Sequence, residues 1–324
     1  MRAGSFSKTL LVLSLGASCG VALLFAMHPD LARELGKSLT AFRVSSLAVA
    51  LLLVLTQVSL QSLRFWAVIP EDAGIGVFDA ARIFTLGDWA NLFAPARGGD
   101  VLKMVLMKRA ESDVNIRLSW ATGAVLADKV IDVGSLLVLC AITGSLGLLY
   151  GWADMASVAH PLVWVGAGVG ALLLGAIALA VSARTARLRD LFGQFREGLS
   201  ALKDPARCPI SVSFGVGGWA AEILALGVLC GGLGFSPSAS HLVFAVVLLN
   251  VGITVPVSFA SLGVYEACLA YGLTRAGLPL PSAIAAATAH HVLEVLGIGL
   301  GAAACSLPLR VLRRGTSGLV PGGH

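Results

Sequence analysis

Charge is what this 324-residue chain has least of: 13% of its residues are charged, against 57% that are hydrophobic. Soluble globular chains are nearer about 25% charged, so a chain this poor in charge belongs to the membrane class. A separate soluble domain is also missing, because the longest polar stretches run to roughly 20–30 residues, below the usual size of a domain. The six cysteines, at 19, 140, 208, 230, 268 and 305, form no CxxC pair, and most lie inside apolar runs. That excludes a disulfide framework or zinc site as the natural reading and leaves small residues packed between helices. There is no Walker motif or other ATP site.

What the chain has instead is long apolar runs. Thr9–Met27, Val44–Leu63, Val133–Ala153, Pro161–Ala183 and Leu242–Tyr265 carry no charge at all. Cys208–Gly234 and Val292–Leu309 are each interrupted by a single acid, Glu222 or Glu294. As helices, runs of this length cross a hydrocarbon core of roughly 30 Å. The first run has the basic flank and small residues before Cys19 of a lipoprotein signal. Gly16 stands where such a signal wants a leucine, however, and the apolar run continues past Cys19, so a retained first helix is expected.

Orientation follows from the basic residues. They gather at Arg2 and Lys8, over 97–117, over 184–207 and at Arg310–Arg314, while the connections 150–160 and 231–240 have none. The pattern predicts an all-α polytopic bundle of about eight spans, near 9–27, 44–66, 119–149, 161–183, 211–232, 241–260, 262–278 and 283–306. Both termini fall in the cytoplasm of an inner-membrane protein. The chain reads as a single integral membrane domain over 1–309 with a basic, disordered tail over 310–324. Between the fourth and fifth spans, Leu188, Leu191, Phe192, Phe195, Leu199 and Leu202 follow helical spacing opposite Arg189, Arg196, Glu197 and Lys203. This predicts an amphipathic helix over 186–203 lying on the membrane surface, as a lipid-sensing element, a topological connector or both.

Two stretches interrupt the apolar pattern. In "NLFAPARGGDVLKMVLMKR", Pro95 and the Gly98–Gly99 pair break the helix, Asp100 is placed to cap a new one, and Arg97 and Lys103 flank its start. Exposed backbone N–H groups beside cations suit a phosphate. Broken backbone at membrane depth lines a cavity, whereas the same residues in a cytoplasmic loop are merely basic. In "VPVSFASLGVYEA", Pro256, Gly263 and Glu266 repeat the order of proline, glycine and acid. Broken segments are thus expected near 78–108 and 256–280. Two such breaks in corresponding places of two halves point to a transporter site.

Other polar residues sit inside or at the mouth of spans. Asp128 and Asp132 share a helix face with Lys129 between them; they read either as Mg²⁺ ligands for a prenyl diphosphate or as a salt-bridged helix entrance. Glu222, His290 and Glu294 read either as proton-coupling groups or as hydrogen-bonded helix contacts.

The order of "NLFAPARGGDVLKMVLM", "LADKVIDVG", "RDLFGQFREGLSALKDP", "GGWAAEIL" and "PVSFASLGVYEACLAYGL" resembles the lysylphosphatidylglycerol synthase transmembrane region family, also called flippase-like integral membrane proteins, over about 40 to 305. Pro95, Arg97, Gly99 and Asp100 match its first motif, with Lys103 replacing an arginine. Lys129 stands where the family tends to have arginine, and Tyr265 where arginine commonly precedes the acid Glu266. The resemblance implies a translocator of an anionic phospholipid or polyprenyl-phosphate-linked lipid, without the soluble aminoacyl-transferase domain of bifunctional relatives. On this reading Arg97, Gly98, Gly99, Asp100, Lys103 and Glu266 bind substrate. Asp128, Lys129, Asp132, Glu222, His290 and Glu294 serve as ion pairs or coupling groups. The partners are membrane lipids and a lipid synthase or glycosyltransferase, and no catalytic residue, cofactor, metal or nucleic acid is assigned. The alternatives are an intramembrane transferase acting at Asp128 and Asp132, or a non-catalytic partner of a synthase.

Overall fold

A computed structural model describes residues 29–93, 98–109, 117–149, 193, 196–254 and 261–306. The expected spans 9–27 and 161–183, the tail 310–324 and half of the amphipathic segment 186–203 lie outside the described residues. All of the regular structure among the described residues is helical. In chain order the helices are α1 (Pro29–Thr40), α2 (Val44–Val68), α3 (Val77–Phe93), α4 (Gly98–Arg109), α5 (Leu118–Leu149), α6 (Arg207–Gly232), α7 (Ala239–Thr254), α8 (Val264–Arg275) and α9 (Leu280–Ser306). Short 3₁₀ turns lie at Glu71–Ala73 and Ser200–Lys203.

The helix bounds follow from local sequence. α2 contains no proline or glycine and ends at Ile69, just before Pro70, which disfavours helix in the residue ahead of it. Pro209 and Pro281 fall in the first turns of α6 and α9, where a missing N–H costs nothing. α6 and α8 end alike, with Gly234 at φ 85° and Gly277 at φ 89°. The following N–H groups fold back, Phe235 to the Cys230 carbonyl and Leu278 to the Leu273 carbonyl. This is the left-handed stop that glycine makes without strain. α6 is capped at its start by the Asp204 carboxylate, which accepts the N–H groups of Ala206 at 2.9 Å and Arg207 at 3.1 Å.

α2, α6 and α9, at 25, 26 and 27 residues, are long and apolar enough to cross a membrane. Their outer faces are greasy, and the charged and imidazole side chains they carry are turned inward among apolar residues. On α9, Val292, Leu296 and Leu300 are about half exposed, while His290, His291 and Glu294 on the other side are buried. A soluble protein does the reverse. A bilayer permits it, because lipid tails solvate leucine while polar groups retreat into the bundle.

The helices repeat. α2–α5 and α6–α9 each run long, short, short, long: 25, 17, 12 and 32 residues, then 26, 16, 12 and 27. The packing repeats too. α3 pairs with α4 as α7 pairs with α8; α9 lies on α3 as α5 lies on α7; and α2 and α6 make the most extensive interface, between the halves. Both breaks fall where the sequence places them, between Phe93 and Gly98 and between Thr254 and Val264. The expected sixth and seventh spans, 241–260 and 262–278, become α7 and α8, short partners of one broken hairpin equivalent to α3 and α4. Among the described residues, each half is therefore one long helix, a broken hairpin and a second long helix.

Close approach within the hairpins depends on glycine. A Cβ on Gly87 would meet the Lys103 side chain, and one on Gly99 would meet the Gly87 carbonyl and Asn91. In the second hairpin Gly272 lies against Ala245 in the same way. The described end of the amphipathic segment packs on protein: Leu199 and Leu202, with Val212, cover Val68, Ala127 and Ile131.

Candidate functional site

Residues of both hairpins and of the long helices line a partly open cavity of about 220 Å³. Its wall draws polar residues from both halves: Arg64, Asp88, Lys129 and Asp132 from the first, Glu222, His291 and Glu294 from the second.

The first half is organised by buried ion pairs. Arg64 on α2 is 1% exposed and reaches across to α5. Its Nε donates to Asp128 Oδ1 at 2.9 Å, and its guanidinium also pairs with Asp132. Asp128 and Asp132 share a face because residues four apart on a helix lie one above the other. Asp132 offers its backbone carbonyl to Trp219 of α6 at 3.0 Å, and Ser211 of α6 donates to the Arg64 carbonyl at 3.1 Å. The charged cluster is thus tied into the interface between halves.

Lys103 on α4 is fully buried. Its ammonium meets Asp88 of α3 at 2.6 Å and Asp100 at 3.7 Å, and sits 4.2 Å from the centre of the Phe84 ring. Ring face and carboxylate together solvate a cation that lipid cannot. Lys129 of α5 approaches Asp100 at 3.7 Å and keeps 27% of its side chain exposed.

The second half uses hydrogen bonds and imidazoles. Gly263, at φ 83°, takes the left-handed backbone ahead of α8, and its N–H donates to Glu266 Oε2 at 2.7 Å. The other oxygen of Glu266 meets His291 Nδ1 at 2.6 Å. Tyr265 stacks on His291 with centroids 4.0 Å apart, and its hydroxyl meets His290 Nδ1 at 2.8 Å. Ser261, also on the cavity wall, holds a left-handed φ of 57° at the edge of the break. Between the halves, Gln57 of α2 donates to Glu222 Oε2 at 2.9 Å.

The sequence-derived residues therefore converge in part. Asp128, Lys129, Asp132, Glu222, Glu266 and Glu294 surround or adjoin one cavity, with His290 behind Tyr265. Arg97 lies outside the described residues. Two details of the first break differ from expectation. α4 begins at Gly98, so Asp100 lies inside its first turn; the cap comes from Asn91 of α3, whose Oδ1 accepts the Gly99 N–H at 2.8 Å. Lys103 points into the hairpin, committed to Asp88 and Asp100. A lysine on the inner face of α4 must be neutralised within the bundle, and Asp88 is one helix away.

The sequence expectations leave out Arg64, Asp88, Asn91 and Gln57. A signal for two of them exists: Gln57, Gln61 and Arg64 fall at i, i+4 and i+7 of an otherwise apolar helix, which is one polar stripe. Asp88 and Asn91 carry no such mark, because α3 is short and mixed.

An apolar exterior, with buried polar groups gathered around one cavity between two broken hairpins, defines an integral α-helical membrane protein. The family model for the lysylphosphatidylglycerol synthase TM region matches residues 10–301, and the chain belongs to that family. The family comprises membrane proteins linked to lipid biosynthesis or translocation, which associate with membrane lipids. Neither a curated protein nor a solved structure matches the chain.

Proposed function

We propose that this protein takes the headgroup of an anionic phospholipid, or of a polyprenyl-phosphate-linked lipid, into the central cavity and moves it between leaflets of the inner membrane. The observation that carries this reading is a polar cavity between two broken hairpins in a chain otherwise built to face lipid. At about 220 Å³ the cavity is smaller than the pockets that bury a whole drug-sized ligand, about 300–1,000 Å³. It suits a phosphate-bearing headgroup whose acyl chains stay in the bilayer. Lys129 is the half-free cation on the wall, and a phosphate displacing Asp100 from it meets the glycine-rich start of α4. Arg97 would add a second cation there.

The chain acts in this reading as a non-enzymatic translocator, with both termini and the basic clusters on the cytoplasmic side. Asp128 and Asp132 are gripped by Arg64, which favours a structural role for them over the metal-dependent transferase reading. The family's description as the TM region of a synthase also fits a chain that hands lipid to, or takes it from, a partner synthase.

The test is reconstitution. Purified protein in vesicles doped with fluorescent phosphatidylglycerol should speed exchange of the probe between leaflets, and mass spectrometry should find an anionic lipid in the purified sample. Lys129→Ala should slow exchange while the protein remains recoverable. No acceleration by the wild type, together with no retained anionic lipid, would overturn the proposal.

A further inference from the structure

Among the described residues, the charged groups around the cavity are nearly all committed. Arg64 is matched to Asp128 and Asp132, Lys103 to Asp88 and Asp100, Lys129 to Asp100, and Glu266 to His291 and the Gly263 N–H. Two carboxyl groups on the cavity wall stand apart from this pairing. Glu222 of α6 and Glu294 of α9 are 5% and 9% exposed, and neither has an ion-pair partner among the described residues.

What they share is Gln57 of α2. Its amide donates to Glu222 at 2.9 Å, and Glu294 lies beside the same side chain. Two buried atoms in this trio lack any hydrogen-bond partner: Glu294 Oε1 and Gln57 Oε1. Both are acceptors, so the missing component is a donor. A buried acceptor left without a donor costs as much as its lost hydration, and an uncompensated buried charge costs more. A proton on the carboxyl pair answers both: it removes one charge and turns one oxygen into a donor.

Beside the pair, His290 Nε2 on α9 is a third buried atom without a hydrogen-bond partner among the described residues. Asp132 of α5 and Asp88 of α3 are within electrostatic range and carry the same sign. Tyr265 faces the pair from α8, with Glu266 next to it, and His290 and His291 stand on the same helix as Glu294, with His291 engaged by Glu266. Arg64, on the helix that bears Gln57, and Lys129 of α5 are held by aspartates.

We propose that Glu222 and Glu294 form a binding site for one exchangeable proton, shared between their carboxyl groups and open to the central cavity. In the lipid-translocator reading, on which this second step rests, that proton is the coupling ion. With both carboxylates ionised, the wall repels an anionic headgroup more strongly; with a proton between them, that repulsion falls and the attraction of Lys129 for the phosphate gains weight. Headgroup and proton therefore cross together.

Infrared difference spectroscopy of the purified full-length protein tests the site without any lipid assay. A protonated-carboxyl C=O band that titrates with pH is expected in the wild type and should be lost in both Glu222→Gln and Glu294→Gln. These substitutions keep shape and remove only the titrating group, and size-exclusion profiles confirm recovery. A band absent from the wild type, retained in both variants, or responsive to sodium in place of pH overturns the site. The coupling is read in vesicles holding fluorescent phosphatidylglycerol, with and without an imposed pH gradient. The gradient should accelerate wild-type exchange and have no effect on Glu294→Gln. Wild-type exchange indifferent to the gradient overturns the coupling. A wild type that moves no probe under either condition and retains no anionic lipid, but keeps its infrared band, retires the lipid reading and supports the proton site alone.

Discussion

The two hairpins share a backbone plan and differ in chemistry. α3 and α4 are joined by permanent charges, Lys103 with Asp88 and Asp100, and the neighbouring cluster of Arg64 with Asp128 and Asp132 adds more. α7 and α8 carry no such pairs among their described residues; α8 is tied to α9 by Glu266 with His291 and Tyr265 with His290. The same architectural need, holding broken backbone inside a membrane, is met once by buried ion pairs and once by hydrogen bonds among imidazole, phenol and carboxyl groups. A buried ion pair resists rearrangement because separating it strands a charge. An imidazole–carboxyl contact changes its own strength with one proton. The first half reads as the fixed frame and the second as the adjustable one.

The largest effect should come from Arg64, the hub of the fixed frame. Arg64→Met removes the cation and leaves two acids, and breaking such a buried pair costs about 3–5 kcal/mol. Thermal unfolding followed by fluorescence-detected size exclusion should show a large loss. Adding Asp128→Asn and Asp132→Asn to Arg64→Met should restore much of it, and no restoration would mean that the guanidinium acts by packing alone.

Lys103→Met should come next, at about 2–3 kcal/mol, since it strands Asp88 but keeps the aliphatic contacts with Phe84. The double variant with Asp88→Asn isolates the pair by cycle analysis. A coupling energy near zero would erase the contrast between the halves.

Gly87→Ala and Gly272→Ala ask whether the hairpins are equally tight. Each places a methyl group where the opposing helix already sits, a strain of about 1–3 kcal/mol. Comparable losses in the same melting assay are expected. A loss confined to Gly87 would show that the second hairpin yields, which sharpens the idea of an adjustable half.

The smallest effect lies outside the hairpins. The N–H groups of Arg207 and Ala206 hold the Asp204 carboxyl below its ordinary value. A group with a lowered folded value stabilises above its unfolded value and loses that contribution as pH falls through the folded one. Asp204→Ala should therefore melt slightly below the wild type near neutrality, with the difference vanishing in strong acid. A gap that is unchanged in acid would show that the carboxylate does not act as the cap.

Much of this was legible in residues. Apolar runs give the helices, Pro95 with Gly98–Gly99 and Pro256 with Gly263 give the breaks, and lone acids in apolar helices mark the cavity wall. These are local signals, written within one turn or one span of the feature they announce. Asn91 capping α4, Asp88 meeting Lys103, and Gln57 reaching Glu222 across 165 positions of chain are not local. A polar side chain in a membrane helix declares that it needs a partner, because hydrocarbon offers none. Its type and position were determined by the sequence alone. Which partner it finds was decided only when α2 packed on α6 and each hairpin closed, since burial, and not order along the chain, sets which charges come within reach of one another.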